Sequence, residues 1–526
     1  MAHLKRLKIL SENEISLYFS KPQFIDADRH DFFTLSQDEH RLMQTLKTNR
    51  AKCYFIAQYG YFKAKKQFFQ ISFSEISSDL NFICKQYQLI KPVRNIKEDS
   101  QRKIRQMILK QENYHANVKA ITEFLTTNAF ELATQHTTPR ALFDTLLIRL
   151  SNEKYVMPAY SLFQKIIGQA FKKENNRLEL LLDKHLTQSA IKTLTKLLST
   201  EKNYYEITRL RKDQKNFRYT ENQKIIEYKL NYQSLYLTAK RIIPKLKIPH
   251  KMIDYYASLA DHYPVAKIKK LKNHKSALYL LCYIFNRSRK FNDDLMSALA
   301  YYVDKYQKLA KEYGKQMVYE AKIELHKTTK KKLPKVLQLF IDKPRSDDTL
   351  REKAFKLIPK EKFPSIIEFL SGWTPDEILF RWEFFDKKQH EITKNLRPIF
   401  VVLDFECSSK LSALNDAILF MQEKFNKKIP LSSIQIKNIP LEFIPNSLKP
   451  YIISFDNSEK IANVNLARYE FCIYLMIRKE FKKNTIAIQD SIKNKRLEDD
   501  LIPKYKIKSI VKKINNPLLS LSLIHI

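Results

Sequence analysis

Four glycines, Gly60, Gly168, Gly314 and Gly372, are all that this chain of 526 residues contains. Average usage of about 7% would supply roughly ten times as many. Glycine is what lets backbone turn left-handed or approach a phosphate closely, so its scarcity removes whole architectures. No phosphate-cradling loop, dinucleotide fingerprint or glycine-flanked serine elbow is available. Two-residue hairpins want glycine as well, which argues against a large sandwich or barrel. Hydrophobic residues make up 44% of the chain, enough for real cores. The expectation is a mainly α, multi-domain array of helical bundles with little β structure.

Lys and Arg number 94 against 56 Asp and Glu, a formal charge of +38. The excess is uneven. Residues 1–150 carry about +8 and residues 201–350 about +17, whereas 351–450 carries about +3. A polyanionic partner is implied, with nucleic acid ahead of an anionic membrane surface. No stretch approaches 18 uncharged apolar residues and the N-terminus lacks a signal-peptide core, so the expectation is a cytoplasmic, nucleoid-associated protein with no membrane partner. Five scattered cysteines without a CxxC pair read as free thiols.

Helix-start signals come in order. Ser11 to Glu14 and Ser36 to Glu39 spell capping boxes, and Thr138-Pro139 is an N-cap followed by proline at the first helical position. Helices are expected over 49–69, from Ser74, over 99–110 and over 140–150. Ser161 to Gln164 spells another box. The expected units are 1–136, 137–200, 201–345, 346–460 and 461–520. Short helices with basic outer faces suit helix-turn-helix-like DNA binding, and a plain bundle with a solvated lysine face suits them equally. Candidate DNA contacts in the first two units are Lys63, Lys65, Lys66, Arg102, Lys103, Arg105, Gln164, Lys165, Lys172 and Lys173. Residues 204–247 read as helical and basic, with Pro244 and Pro249 punctuating them. The middle candidates are Arg209, Arg211, Lys212, Lys215, Arg218, Lys269 and Lys270, beside a further cluster of Arg287, Arg289 and Lys290. Residues 292–326 read as one helix whose Leu295, Leu299, Tyr302, Tyr306, Leu309 and Tyr313 follow a 3.5-residue repeat. Packing within the chain is favoured over a subunit seam.

Asp404 and Glu406 close an apolar run two residues apart, as metal-dependent nuclease sites begin. The sequence offers them no partner carboxylate in a suitable setting, and a helix end with surface acids is the favoured reading. A metal-dependent nuclease centred on this pair, or a basic helical nucleic-acid-binding scaffold, remain the alternatives.

Several segments carry a family resemblance. LSENEISLYFS (10–20), FFTLSQDEHRLM (32–43) and NRAKCYFIAQYGYFKAKKQFF (49–69) resemble the N-terminal DNA-binding region of the Tn-three family of replicative, cointegrate-forming transposases. IPHKMIDYYASLADHYPVAKIKKL (248–271), PLEFIPNSLKPYI (440–452) and the segment 468–502 resemble later parts of the same family in the same order. The resemblance implies recognition of the terminal inverted repeats of a transposon as double-stranded DNA, and a homodimer in the full-length protein. It also implies an Asp-Asp-Glu catalytic triad with a divalent metal such as Mg, placed beyond Ile526, so no catalytic residue, metal ligand or cofactor is carried onto this chain. Asp404 and Glu406 do not match that triad. The last six residues, LSLIHI (521–526), are what CTG TCT CTT ATA CAC ATC encodes, the transposon-end adapter of tagmentation libraries. The expectation is therefore that the natural protein continues past Ser520.

Overall fold

The computed structural model describes residues 7–201, 204–341, 346–372, 375–456 and 461–496; the adapter-like tail lies outside them. Helices dominate. In chain order they are α1 (Glu12–Phe19), α2 (Asp26–Phe33), α3 (Gln37–Gln44), α4 (Asn49–Lys65), α5 (Ser77–Tyr87), α6 (Glu98–Glu112), α7 (Val118–Leu132) and α8 (Pro139–Asn152). There follow α9 (Tyr160–His185), α10 (Gln188–Lys196), α11 (Glu206–Leu210), α12 (Tyr219–Asn231), α13 (Gln233–Leu246), α14 (His250–His262), α15 (Val265–Lys269) and α16 (Asn273–Ile341). The last are α17 (Asp347–Leu357), α18 (Phe363–Leu370), α19 (Glu377–Lys387), α20 (Gln389–Val402), α21 (Ser412–Asn426), α22 (Lys449–Ile452) and α23 (Leu466–Lys482). Strands are short and antiparallel: β1 (Thr200–Glu201) with β2 (Tyr204–Tyr205), β3 (Phe405–Cys407) with β6 (Ile486–Ile488), and β4 (Ile453–Phe455) with β5 (Ile461–Val464). Two compact units result, one from residues up to 199 with 237–283, the other from 200–236 with 284 onward.

Helix ends follow local chemistry. Ser11 and Ser36 form reciprocal boxes with Glu14 and Glu39, and Thr138 caps α8 through Ala141 N. The box at Ser161 does not form: the N-cap lies two residues earlier, at Ala159, which has no capping side chain, and α9 starts at Tyr160. Tyr160 is committed elsewhere, its hydroxyl accepting from Ile9 N at 3.1 Å and Leu10 N at 3.0 Å. Helix C-termini show how the chain manages without glycine. Lys66, Gln88 and Asn113 close α4, α5 and α6 in the left-handed region, at φ 50, 53 and 57. Glycine is the usual occupant there because it has no Cβ to clash.

In the first unit α4 is the axle of one bundle. Its residues from Cys53 to Phe62 are all buried, which a helix tolerates only when neighbours cover every face. α2, α3, α5 and α6 supply that cover, with Phe24, Phe33, Phe73, Leu80, Ile104 and Ile108 among the buried partners. Asp79 ties the bundle, accepting from Tyr61 Oη at 2.5 Å and Arg29 Nε at 2.8 Å. A second core joins α7, α8 and α9 to α1 and its lead-in, through Leu10, Leu125, Phe143, Phe163 and Ile167. The expected boundary at 136/137 therefore misplaces α1 and α7, which pack with α8 and α9. Phe19, in α1, lies 6.3 Å from Phe143 and 6.1 Å from Phe163 between ring centroids.

Gly60 sits where α2 presses on α4. A Cβ there would stand 2.6 Å from Phe33 Cε1 and 3.1 Å from Phe32 O. A Cβ at Gly168, on α9, would meet nothing within 4 Å among the described residues. Gly60→Ala is expected to destabilise the protein by about 1–3 kcal/mol through overpacking. Gly168→Ala is expected to stabilise by up to about 1 kcal/mol through helix propensity. Urea unfolding measures both, and the opposite ordering would contradict this packing.

In the second unit α16, α19, α20, α21 and α23 surround a core containing Trp382, Phe385, Phe400, Tyr469, Phe471 and Tyr474. Bidentate pairs fasten it: Arg468 to Asp386, Arg478 to Asp304, and Arg397 to Glu470. The expected helix over 292–326 is part of the much longer α16. Its tyrosine repeat packs inside the unit, since Tyr302 Oη donates to Phe217 O at 2.6 Å and Tyr306 Oη to Glu391 at 3.2 Å. Residues 204–247 are not continuously helical: β2 opens them and residues 211–218 form an irregular connection. Neither the expected limits of 201–345 nor the break at 460 follows the two units, because 237–283 belongs with the first and α23 packs on α19 and α21.

Candidate nucleic-acid interface

The outer face of α9 is an exposed stripe of cationic, amide and hydroxyl side chains. Its inner positions Phe163, Ile166, Ile167 and Ala170 are buried against α7 and α8. The exposed positions Ser161, Lys165, Gln169, Lys172 and Asn176 recur at intervals of four, four, three and four. That spacing aligns them on one stripe about 22 Å long. No carboxylate falls among them, and each carries a group able to reach a base edge or phosphate oxygen. Lys173 flanks the stripe with its Nζ 4.2 Å from the Phe130 ring centroid. Gln164 does not join it, because its Nε2 donates to Leu7 O at 2.9 Å and fixes the N-terminal lead-in. Sequence reasoning grouped Gln164 with this face and left out Ser161 and Asn176.

α6 offers a second basic face, with Arg102, Lys103, Gln106 and Lys110 exposed. Arg102 and Arg105 border a 970 Å³ groove that also meets Gln70, Glu75 and Glu98. Arg105 is partly structural: its Nη2 donates to Phe69 O at 3.1 Å and its guanidinium lies 5.8 Å from the Phe68 ring. The three lysines ending α4 turn inward. Lys63 pairs with Glu39 at 2.7 Å, and Lys65 donates to Leu17 O, where burial lowers its pKa. Lys66 lies 3.9 Å from Glu112 and over the Phe62 and Tyr114 rings. All three side chains are thus engaged by contacts within the first unit.

In the second unit two basic clusters far apart in sequence converge. Arg209, Lys212 and Lys215 line a 490 Å³ cavity with Arg287 of α16. Arg287 is 8% exposed; it reaches Asp213 at 2.7 Å, donates to Lys212 O, and among the described residues leaves Nε without a partner. It thereby positions the connection that carries Lys212 and Lys215. Hydrogen bonds from Lys290 and Arg287 hold Asp213 below the usual carboxylate range. Arg209 is 3.6 Å from Glu206, Arg211 is half-buried, and Arg218 is exposed at the start of α12. Back in the first unit, Lys269 and Lys270 are exposed at the end of α15.

One stripe escaped sequence reasoning. On α16 the exposed Lys308, Lys311, Lys315 and Lys322 are spaced three, four and seven apart, over about 21 Å, with Glu312 beside them.

Asp404 follows the end of α20, and Glu406 lies in β3 with its carboxylate 3.0 Å from Arg496. Among the described residues no group of three or more His, Cys, Asp or Glu side chains converges to hold a metal, so the divalent ion that the resemblance implies has no fitting donor set in them. All five cysteines are free, although the Cys53 and Cys84 sulfurs approach to 3.8 Å. No helix of the described residues is long and apolar enough to cross a membrane.

Residues 9–170 match a domain of unknown function, DUF4158. The match runs from the lead-in of α1 into α9, so it takes in both bundles and the first part of the α9 stripe. No curated protein matches the chain.

Proposed function

We propose that this chain is the DNA-recognition portion of a replicative transposase, gripping the terminal inverted repeats of its own element. The observation that carries the reading is the acid-free α9 stripe of Ser161, Lys165, Gln169, Lys172 and Asn176. Amide side chains there read base edges, while the lysines engage the flanking phosphates and set register. The matched domain supports this, since it is found in Tn-three family transposases. The +38 charge supplies the long-range attraction that brings such a surface to a duplex. On this reading the described residues bind and position DNA, and strand cutting is assigned to none of them. The test is competition between duplexes from the two ends of the element that carries the gene and random duplexes of equal length. The end sequences are expected to win. Gln169→Ala should relax choice at one base pair, at about 1–3 kcal/mol. Equal affinity for end and random duplexes would end the proposal.

A further inference from the structure

The 490 Å³ cavity of the second unit has the size of a small-ligand site, too small for a duplex and sufficient for one nucleotide. Its lining divides by chemistry. Tyr204, Tyr228, Phe291 and Ile225 supply ring and aliphatic surface, and Tyr228 and Phe291 lie 6.2 Å apart between centroids. Lys212 and Lys215 are exposed on the 211–218 connection. Arg287, buried beneath them, keeps an unclaimed Nε. Asp294 lines the same cavity half-buried, and its carboxylate accepts no hydrogen bond within the described residues. Burial raises its pKa even though Lys290 and Arg287 lie near. A half-buried acceptor set against aromatic surface, below exposed cations, suits a flat donor-bearing ring attached to phosphate.

We propose that this cavity takes a single unpaired nucleotide, its base among Tyr204, Tyr228 and Phe291 with an exocyclic amino group on Asp294, and its phosphates on Lys212 and Lys215. The inference rests on the DNA-binding reading and adds a preference for duplex with an extrahelical base. Cytosine, adenine and guanine carry the required amino donor, and thymine does not. Base stacking on aromatic side chains is strong enough to show as roughly tenfold in affinity.

The experiment uses the full chain and a duplex of arbitrary sequence, either fully paired or carrying a one-nucleotide bulge of C, A, G or T. The bulged C, A and G duplexes are expected to bind roughly tenfold tighter than the paired one, with T gaining least. Tyr228→Ala and Asp294→Ala, each checked for native circular dichroism, should bring the bulged-to-paired ratio close to one. Deoxycytidine monophosphate as competitor separates the sources: it should lower the bulged-to-paired ratio only in large excess, and tighter binding of the free nucleotide than of the bulged duplex would assign the cavity to free nucleotide and overturn the strand-borne version. Equal affinity of the wild type for bulged and paired duplexes also overturns the proposal. The recognition reading is judged separately, by end-sequence preference on fully paired duplexes.

Discussion

Glu470→Ala is expected to destabilise the protein by about 3–5 kcal/mol, the cost of stripping one partner from a buried charged cluster. Glu470 is 4% exposed on α23 and receives both Arg397 Nε at 3.0 Å and Nη2 at 2.7 Å from α20. It also accepts from Tyr474 Oη at 2.6 Å. Burial pushes the Tyr474 phenol well above its ordinary pKa, so it remains a donor at any working pH. Removing the carboxylate leaves a half-buried guanidinium and a buried phenol without their acceptor beside the core that supports α20 and α23. Tyr474→Phe, which deletes one neutral donor, should cost only about 1 kcal/mol. Urea denaturation distinguishes them, and similar losses for both variants would show that the cluster is not the anchor described.

The second large effect concerns salt. If six to ten phosphates are neutralised, affinity for duplex DNA should fall by roughly 10³–10⁵ between 50 and 200 mM salt. Replacing Lys165, Lys172, Lys212 and Lys215 together by Gln should flatten the slope of log affinity against log salt by about 3–4. All four are exposed, so their loss removes charge without disturbing a core. Lys63→Gln is the contrasting variant. Its ammonium sits on Glu39 at 2.7 Å, so it should change stability and leave the slope alone. A slope insensitive to the fourfold variant would place the phosphate contacts elsewhere.

What could be read from the chain was mostly local. The capping residues Ser11, Ser36 and Thr138 act within one turn, and the helices they announce start where they do. Lys165 and Lys172 were legible for the same reason, as exposed basic positions opposite an apolar face. Facts that depend on distant partners were not legible. Lys63, Lys65 and Lys66 look like a free basic run until folding brings Glu39, Leu17 O and Glu112 to them. Helix α1 reads as part of the first bundle, yet Phe19 completes the core of α7 to α9. The cavity required Lys212 and Arg287, separated by 75 residues, to meet. Local capping chemistry also failed at Ser161, where the long-range bonds of Tyr160 coincide with a helix that starts two residues early.

The most direct measurement is competitive binding, near physiological salt, between the paired end sequences of the carrying element and random duplexes of the same length. The account predicts a preference of roughly 10³ or more for the end sequences, reduced by Gln169→Ala at a single base pair. Affinities equal within about threefold would mean that the cationic helices hold DNA by charge alone, and would contradict sequence-specific recognition.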